Sequence, residues 1–158
     1  MTFNMQMATL SSLEILFNVI RCILVFYGVY YMVSTICFGA FKLPAFDPKS
    51  PFDFQTWIQL EKCCAFYTKR EMANFISMEA TFFISTFGYA IFIHSRMWDY
   101  ALTTLVLHFE LSCLVMLNFP LNWSWWVCIV SGALLMTCFG EMICYCRRHR
   151  EQNKVSPQ

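Results

Sequence analysis

Long apolar runs dominate the chain and are separated by shorter polar connections. Four runs of about 20 or more mainly apolar residues lie at roughly 16–41, 72–94, 98–117 and 123–146. A helix of about 20 residues crosses the hydrocarbon core of a bilayer, because each residue adds about 1.5 Å of rise. The pattern therefore predicts an all-α, polytopic membrane protein: a single domain formed by a bundle of four transmembrane helices, followed by a basic tail at 147–158.

The connection between the first two runs is long and carries a helix signal of its own. In "SPFDFQTWIQLEK", Ser50 can cap a helix, Pro51 suits its first turn, and Asp53 completes an S-x-x-D box. Phe54 and Trp57 would then share one apolar face. This pattern is compatible with a short interfacial helix lying on the membrane surface. The alternative is a packed loop with a single helical turn.

Composition indicates that lipid is the solvent of these helices. Hydrophobic residues make up 58% of the chain and charged residues only 13%, whereas a soluble domain carries about 25% charged residues. The net charge of +1 gives no electrostatic case for nucleic acid. We therefore expect a lipid bilayer, and no nucleic acid, around the helix surfaces.

Cysteines and short motifs give no sign of an enzyme. Most of the 9 cysteines lie inside apolar runs, where a thiol packs like a small hydrophobic group. No C-x-x-C, G-x-S-x-G or H-E-x-x-H motif occurs. Cys144, Cys146 and His149 form only a weak metal signal. We therefore expect no enzymatic activity, no metal and no cofactor.

Aromatic and basic residues at the span ends bear on membrane position. All five tryptophans fall at predicted interfaces, where an indole ring prefers the headgroup level; they are Trp57, Trp98, Trp123, Trp125 and Trp126. An even number of spans places both termini on one side of the membrane. The second connection carries Arg96 and the third carries no basic residue. This favours termini in the cytosol and the long connection in the lumen.

Five ionisable residues fall inside the predicted spans: Arg21, Glu79, His108, Glu110 and Glu141. A charged residue at a helix centre costs about 2.5–3.5 kcal/mol of insertion free energy, so such residues should face the bundle and find partners. We expect them to act as polar contacts between helices, with a proton or ion relay as the functional alternative. Because His108 and Glu110 are two residues apart, they point in directions about 200° apart and cannot share a partner.

Polar residues form one stripe on each of two spans. The second span carries Ser77, Thr81 and Ser85, and the third carries Thr104, His108 and Ser112. Residues four apart lie on one face of a helix. We expect the two stripes to face each other through hydrogen bonds.

A charge pair is predicted between the first and last spans. Arg21 and Glu141 lie at similar depths below the cytosolic boundary, and Gly28 continues the stripe of Arg21, which would allow a close helix approach. We therefore expect an Arg21–Glu141 pair. The alternative is that each side chain extends separately to the headgroups.

Cysteines and arginines meet at the end of the last span. Cys144 and Cys146 precede Arg147, Arg148 and Arg150, and cysteines at such a position are typical sites of S-palmitoylation. Each arginine near the surface would add about 1 kcal/mol of attraction to anionic lipid. The alternative is a pair of ordinary cysteines at a helix end. The arginines and the apolar segment "MTFNMQMATL" would also frame a groove between helix ends.

Short motifs in a fixed order resemble a known family. The segments "LHFELSCLVMLNFPLNWSWW" and "ALLMTCFGEMIC" are similar to the Sys family of Golgi membrane proteins. The residues that carry the similarity are His108, Phe119, Pro120, Trp125, Trp126, Gly140, Glu141 and Cys144. The segment "FYGVYY" in the first span also fits, and "PFDF" and "WDYA" resemble a sister branch of the family.

The resemblance implies a multi-pass protein of the Golgi membrane. Members of the family act as membrane receptors for an Arf-related small GTPase whose N-terminus is acetylated, and they support vesicle traffic at the Golgi. We therefore expect this chain to recruit such a GTPase. A small channel or transporter-like four-helix protein is the alternative from a different class. The sequence carries no signal for the oligomeric state.

Overall fold

Four long helices form the chain in the computed structural model, which describes residues 2–44, 46–58, 67–93 and 96–155. They are α1 (Thr2–Ala40), α2 (Lys69–Phe92), α3 (Met97–Met116) and α4 (Trp123–Val155). Each contains a stretch that is long and apolar enough to cross a membrane. The predicted all-α, four-span architecture is therefore confirmed.

Local chemistry explains where the helices begin and end. The Thr68 side chain accepts from the Glu71 backbone N–H while the Glu71 carboxylate accepts from the Thr68 N–H, and this capping box starts α2 three residues before the predicted span. At the end of α3, Leu117 follows the last helical residue, Met116, and adopts a left-handed conformation. Pro120 follows, and its carbonyl accepts a hydrogen bond from Trp126 Nε1 at 2.9 Å in the first turn of α4.

The helices pack in the ring order α1, α2, α4, α3, so that α1 and α4 lie across a diagonal of the bundle. Two glycines allow the close approaches on either side of α2. A methyl group at Gly88 would lie 2.6 Å from Val25 Cγ1 of α1, and one at Gly132 would collide with the Phe82 ring of α2. Gly28 has open space around it, so the expected role of this glycine in a close approach is wrong.

The long connection folds against the bundle instead of lying flat on the membrane. Among the described residues of this connection only Ser50–Phe52 is helical, as one 3-10 turn, and the Ser50 side chain does not cap it. The Asp53 carboxylate accepts from the backbone N–H groups of Gln55 and Thr56, which offers this backbone an alternative to a helix. Over the described residues the interfacial helix is therefore wrong, and the packed loop with one turn is correct. Residues 59–66 lie outside the described part of the chain.

Apolar residues of this connection fill the loop end of the bundle, where α1 ends and α2 begins. Phe54, Trp57 and Ile58 are all buried. The Ser50 hydroxyl donates to Asn74 Oδ1 of α2 at 2.9 Å and accepts from the Tyr30 hydroxyl of α1 at 3.4 Å. The connection is therefore held by both packing and hydrogen bonds.

The tryptophans divide between interior and surface. Trp57 and Trp125 are 2% and 0% exposed inside the protein, so the expectation that their rings lie among lipid headgroups is wrong for these two. Trp98 and Trp123 are about half exposed, as an interfacial ring should be. The interior tryptophans were missed because an aromatic ring near a span end suits both environments.

Candidate functional site

The centre of the bundle is an aromatic cluster around His108. This side chain is 1% exposed, and its Nδ1 lies 3.1 Å from the Tyr27 hydroxyl of α1. The rings of Phe26, Phe52 and Trp125 lie with centroids 5.5, 6.2 and 6.4 Å from the imidazole. His108 thus joins α1, the loop and α4 to α3. The sequence singled out His108 and Trp125 but missed Tyr27, whose only signal was its place in an aromatic run.

The two polar stripes both face the interior, as expected, but their side chains do not bond directly to each other. The hydroxyls of Thr81 and Ser112 donate to carbonyls one turn earlier in their own helices. The hydrogen bond between α2 and α3 comes instead from the Tyr89 hydroxyl, which donates to Thr104 Oγ1 at 3.1 Å. Because α2 and α3 lie across a diagonal of the bundle, a long side chain such as that of Tyr89 is needed to span the distance.

The predicted Arg21–Glu141 pair does not form. Arg21 Nη1 donates to Asn18 Oδ1 at 3.3 Å, and its guanidinium lies 5.8 Å from the centroid of the Phe92 ring of α2. Glu141 Oε1 is buried without a hydrogen-bond partner. The reason is topological: α2 lies beside both α1 and α4, so the two charged residues are not on neighbouring helices.

The other two carboxylates lie at different surfaces of the bundle. The Glu79 carboxylate accepts from the Ser131 hydroxyl at 3.2 Å and so links α2 to α4. Glu110 is exposed on the outer face of α3, which corrects the expectation that it faces the bundle. The helical geometry explains this position, because His108 points inward and a residue two places on must point nearly the opposite way.

One arginine of the tail is a structural residue. Arg147 Nη1 donates to the Ala90 carbonyl at 2.8 Å, and Ala90 lies in the last turn of α2, which leaves carbonyls without partners in its own helix. A cation at this position also interacts favourably with the helix dipole. Arg147 therefore ties α4 to α2, whereas Arg148 and Arg150 are exposed.

The two cysteines at the end of α4 point in different directions. Cys144 is 2% exposed, and its sulfur lies 3.9 Å from that of Met97 in α3. Gly140 leaves room for the same methionine, since a methyl group there would lie 3.2 Å from its side chain. Cys146 is exposed. The Cys144 thiol is therefore part of the packed interior. Of the two cysteines, only Cys146 remains a candidate for acylation. Among the described residues, no three His, Cys, Asp or Glu side chains cluster as metal ligands would.

A cleft of about 350 Å³ lies along the last part of α4. Its described lining consists of Met142, Ile143, Cys146, Arg147 and Arg150, and we call it the terminal cleft. Apolar side chains form one part of its wall and arginines the other. The side chains of residues 2–11, which were expected to frame a groove here, lie outside the described part of the structure.

Most of the residues that carry the family resemblance lie at three places. His108 and Trp125 meet at the bundle centre, and Gly140 and Cys144 meet Met97 between α3 and α4. The third place is the α3–α4 turn, where the rings of Phe109, Phe119 and Trp126 lie with centroids 5.2–6.4 Å apart. These residues therefore position the helices relative to one another.

The four spans and the buried core define the class: a multi-pass integral membrane protein. A model of the family described as "Integral membrane protein S linking to the trans Golgi network" matches residues 5–154. The chain therefore belongs to this Sys family, as the motifs indicated.

A curated relative supports the same assignment. Human transmembrane protein 244 (Homo sapiens) is 27% identical over 135 residues, which cover 84% of this chain and 98% of that protein. No solved structure matches. The family is one of integral membrane proteins and not a known enzyme family, and a place in the Golgi membrane fits its description.

Proposed function

We propose that this protein resides in the Golgi membrane, with its termini in the cytosol, and helps hold an Arf-related small GTPase there. The family description links its members to the trans Golgi network, and the resemblance supplies the class of partner. The residues supply a surface with suitable chemistry. That surface is the terminal cleft.

The terminal cleft is the observation that carries this proposal. Met142 and Ile143 offer apolar contact, Arg147 and Arg150 supply positive charge, and about 350 Å³ is enough for a few side chains of a guest segment. An unmodified α-amino group carries a positive charge that these arginines would repel. Acetylation removes this charge, so an acetylated, apolar N-terminus is the better guest.

Orientation is the first requirement of this proposal, because the GTPase is cytosolic. Epitope tags at both termini should be detected in cells whose plasma membrane alone is permeabilised. A tag inserted in the 42–58 loop should need detergent that opens the Golgi. Detection of the loop tag without that detergent would show the opposite orientation. The terminal cleft would then lie on the lumenal side, where the GTPase cannot reach it.

The cellular test is the distribution of the GTPase in cells that lack this protein and its paralogues. We expect the GTPase to disperse into the cytosol and to return when the wild-type protein is supplied. Arg150→Glu should fail to restore it, whereas Arg148→Glu, an equal charge change outside the described cleft lining, should restore it. A GTPase that stays on the Golgi in such cells would contradict the receptor role. Dispersal only on loss of another family member would mean that this branch has diverged.

The packing of the core argues against the channel or transporter alternative. Trp57, Trp125, Tyr30, Tyr89 and Phe26 are among the largest fully buried side chains, and they fill the bundle where a wet path would run. Because these side chains close the interior, we expect no proton flux above background in liposomes that contain the purified protein.

A further inference from the structure

A second cleft, separate from the terminal cleft, lies between α1 and α3. It has a volume of about 220 Å³. Its lining residues are Ile15, Val19, Arg96, Asp99, Tyr100 and Thr103. We call it the α1–α3 cleft. It opens at the start of α3, which is where the third span begins, so it lies at the edge of the membrane.

The α1–α3 cleft contains one side chain of each charge. Arg96 and Asp99 both line it, yet their side chains form no ion pair with each other. The backbone N–H of Asp99 bonds to the Arg96 carbonyl at 3.2 Å, which fixes the spacing of the two residues and leaves both charged groups available. A guest with one negative and one positive group would match this pair.

Arg96 occupies a backbone conformation that arginine rarely adopts. Its φ and ψ are 52° and 48°, in the left-handed region where the Cβ of a residue other than glycine crowds the following carbonyl oxygen. Glycine would satisfy this turn more easily. Such a backbone outlier suggests a function for the side chain. In this structure the Arg96 side chain lines the cleft, where its guanidinium can contact a bound molecule.

We propose that the α1–α3 cleft binds the headgroup of a zwitterionic phospholipid that carries a primary ammonium, namely phosphatidylethanolamine. Arg96 would take the phosphate, since a guanidinium matches phosphate oxygens in a bidentate manner. Asp99, with the hydroxyls of Tyr100 and Thr103, would accept from the ammonium. The acyl chains would lie along Ile15 and Val19.

Contacts to the ammonium group distinguish phosphatidylethanolamine from phospholipids with a choline or serine headgroup. A choline headgroup cannot donate hydrogen bonds to Asp99, and quaternary ammonium groups are typically held by several aromatic rings, whereas this cleft has only Tyr100 in its described lining. A serine headgroup adds a carboxylate that Asp99 would repel. The cleft chemistry therefore ranks phosphatidylethanolamine first.

Native mass spectrometry of the full-length protein tests this site directly. The protein is purified in a mild detergent and exposed to equal amounts of phosphatidylethanolamine, phosphatidylcholine and phosphatidylserine with identical acyl chains. We expect wild-type protein to retain phosphatidylethanolamine about five- to tenfold more than phosphatidylserine. A tenfold preference corresponds to a difference of about 1.4 kcal/mol in binding free energy. Asp99→Asn should abolish this preference. Glu151→Gln is the control, because it neutralises an exposed carboxylate outside the cleft, and it should keep the preference.

A second variant separates lipid binding from folding. Arg96→Gly should keep the thermal stability of the protein, because glycine suits the left-handed turn, and yet lose all three lipids. Arg148→Gln removes an exposed arginine outside the cleft and should retain the lipids as the wild type does. Equal retention of the three lipids by wild type would identify non-specific annular lipid and overturn the proposal. A preference for phosphatidylserine, or an unchanged lipid ratio in Asp99→Asn, would overturn it as well.

Discussion

The hydrogen bond between His108 and Tyr27 is the central polar contact of the bundle. It joins α3 to α1 among rings contributed by α1, α4 and the long loop. The sequence predicted that His108 points inward, because a polar group is costly against lipid. It could not predict the partner, since the choice among many aromatic residues depends on how the helices are rotated.

Replacing Tyr27 by phenylalanine should weaken the bundle. The substitution removes only the hydroxyl and leaves the His108 ring without this partner, and hydrogen bonds between membrane helices are worth about 0.6–1.7 kcal/mol. The loss should appear as a lower free energy of unfolding when purified protein is titrated with a denaturing detergent. Tyr145→Phe is the control, because Tyr145 is 66% exposed. Equal stability of both variants would mean that this hydrogen bond contributes nothing.

The two cysteines near the end of α4 should differ in acylation. We predict that Cys146 carries a palmitoyl group and that Cys144 does not, because the first is exposed and the second is packed against Met97. Acyl-exchange labelling should therefore be lost in Cys146→Ser and retained in Cys144→Ser. Undiminished labelling of the Cys146→Ser protein would refute this assignment.

At the scale of the helices, sequence periodicity predicted which faces are buried but not which helices are neighbours. The stripe of Thr104, His108 and Ser112 does face inward. The Arg21–Glu141 pair failed because depth along a helix is readable from the sequence, whereas the ring order of the helices is not. Only contacts such as those of Gly88 and Gly132 reveal that α2 packs beside both α1 and α4.

Gly132 and Gly28 provide a matched test of that packing. Alanine at position 132 would place a methyl group in the ring of Phe82, which is itself buried, so we expect a loss of about 1–3 kcal/mol in the free energy of unfolding. Alanine at position 28 meets no atom within 4 Å and should leave stability unchanged or slightly raised. The same detergent titration measures both. A stable Gly132→Ala protein would show that α2 and α4 are not packed this closely.

For the whole molecule, the number and approximate ends of the spans could be predicted, because crossing a bilayer requires a mainly apolar run of about 20 residues and the polar connections contain none. The sequence could not predict whether the long loop packs against the bundle or lies on the membrane surface. Its apolar residues Phe54 and Trp57 suit a membrane surface as well as a protein interior, and the decision depends on the space at the loop end of the bundle. The two clefts could not be predicted from the sequence either, since the lining of each depends on which side chains the helix ends bring together.

Binding of a GTPase N-terminal peptide to the full-length protein in lipid nanodiscs tests whether the terminal cleft holds the GTPase. The peptide is prepared with and without its N-terminal acetyl group, and fluorescence anisotropy gives both dissociation constants. We predict about tenfold tighter binding of the acetylated form, equivalent to 1.4 kcal/mol. In Arg150→Glu this ratio should shrink, because a positive amino group is then less repelled, while in Arg148→Glu it should remain. Equal affinity for the two peptides, or an unchanged ratio in Arg150→Glu, would contradict the terminal cleft as the docking site.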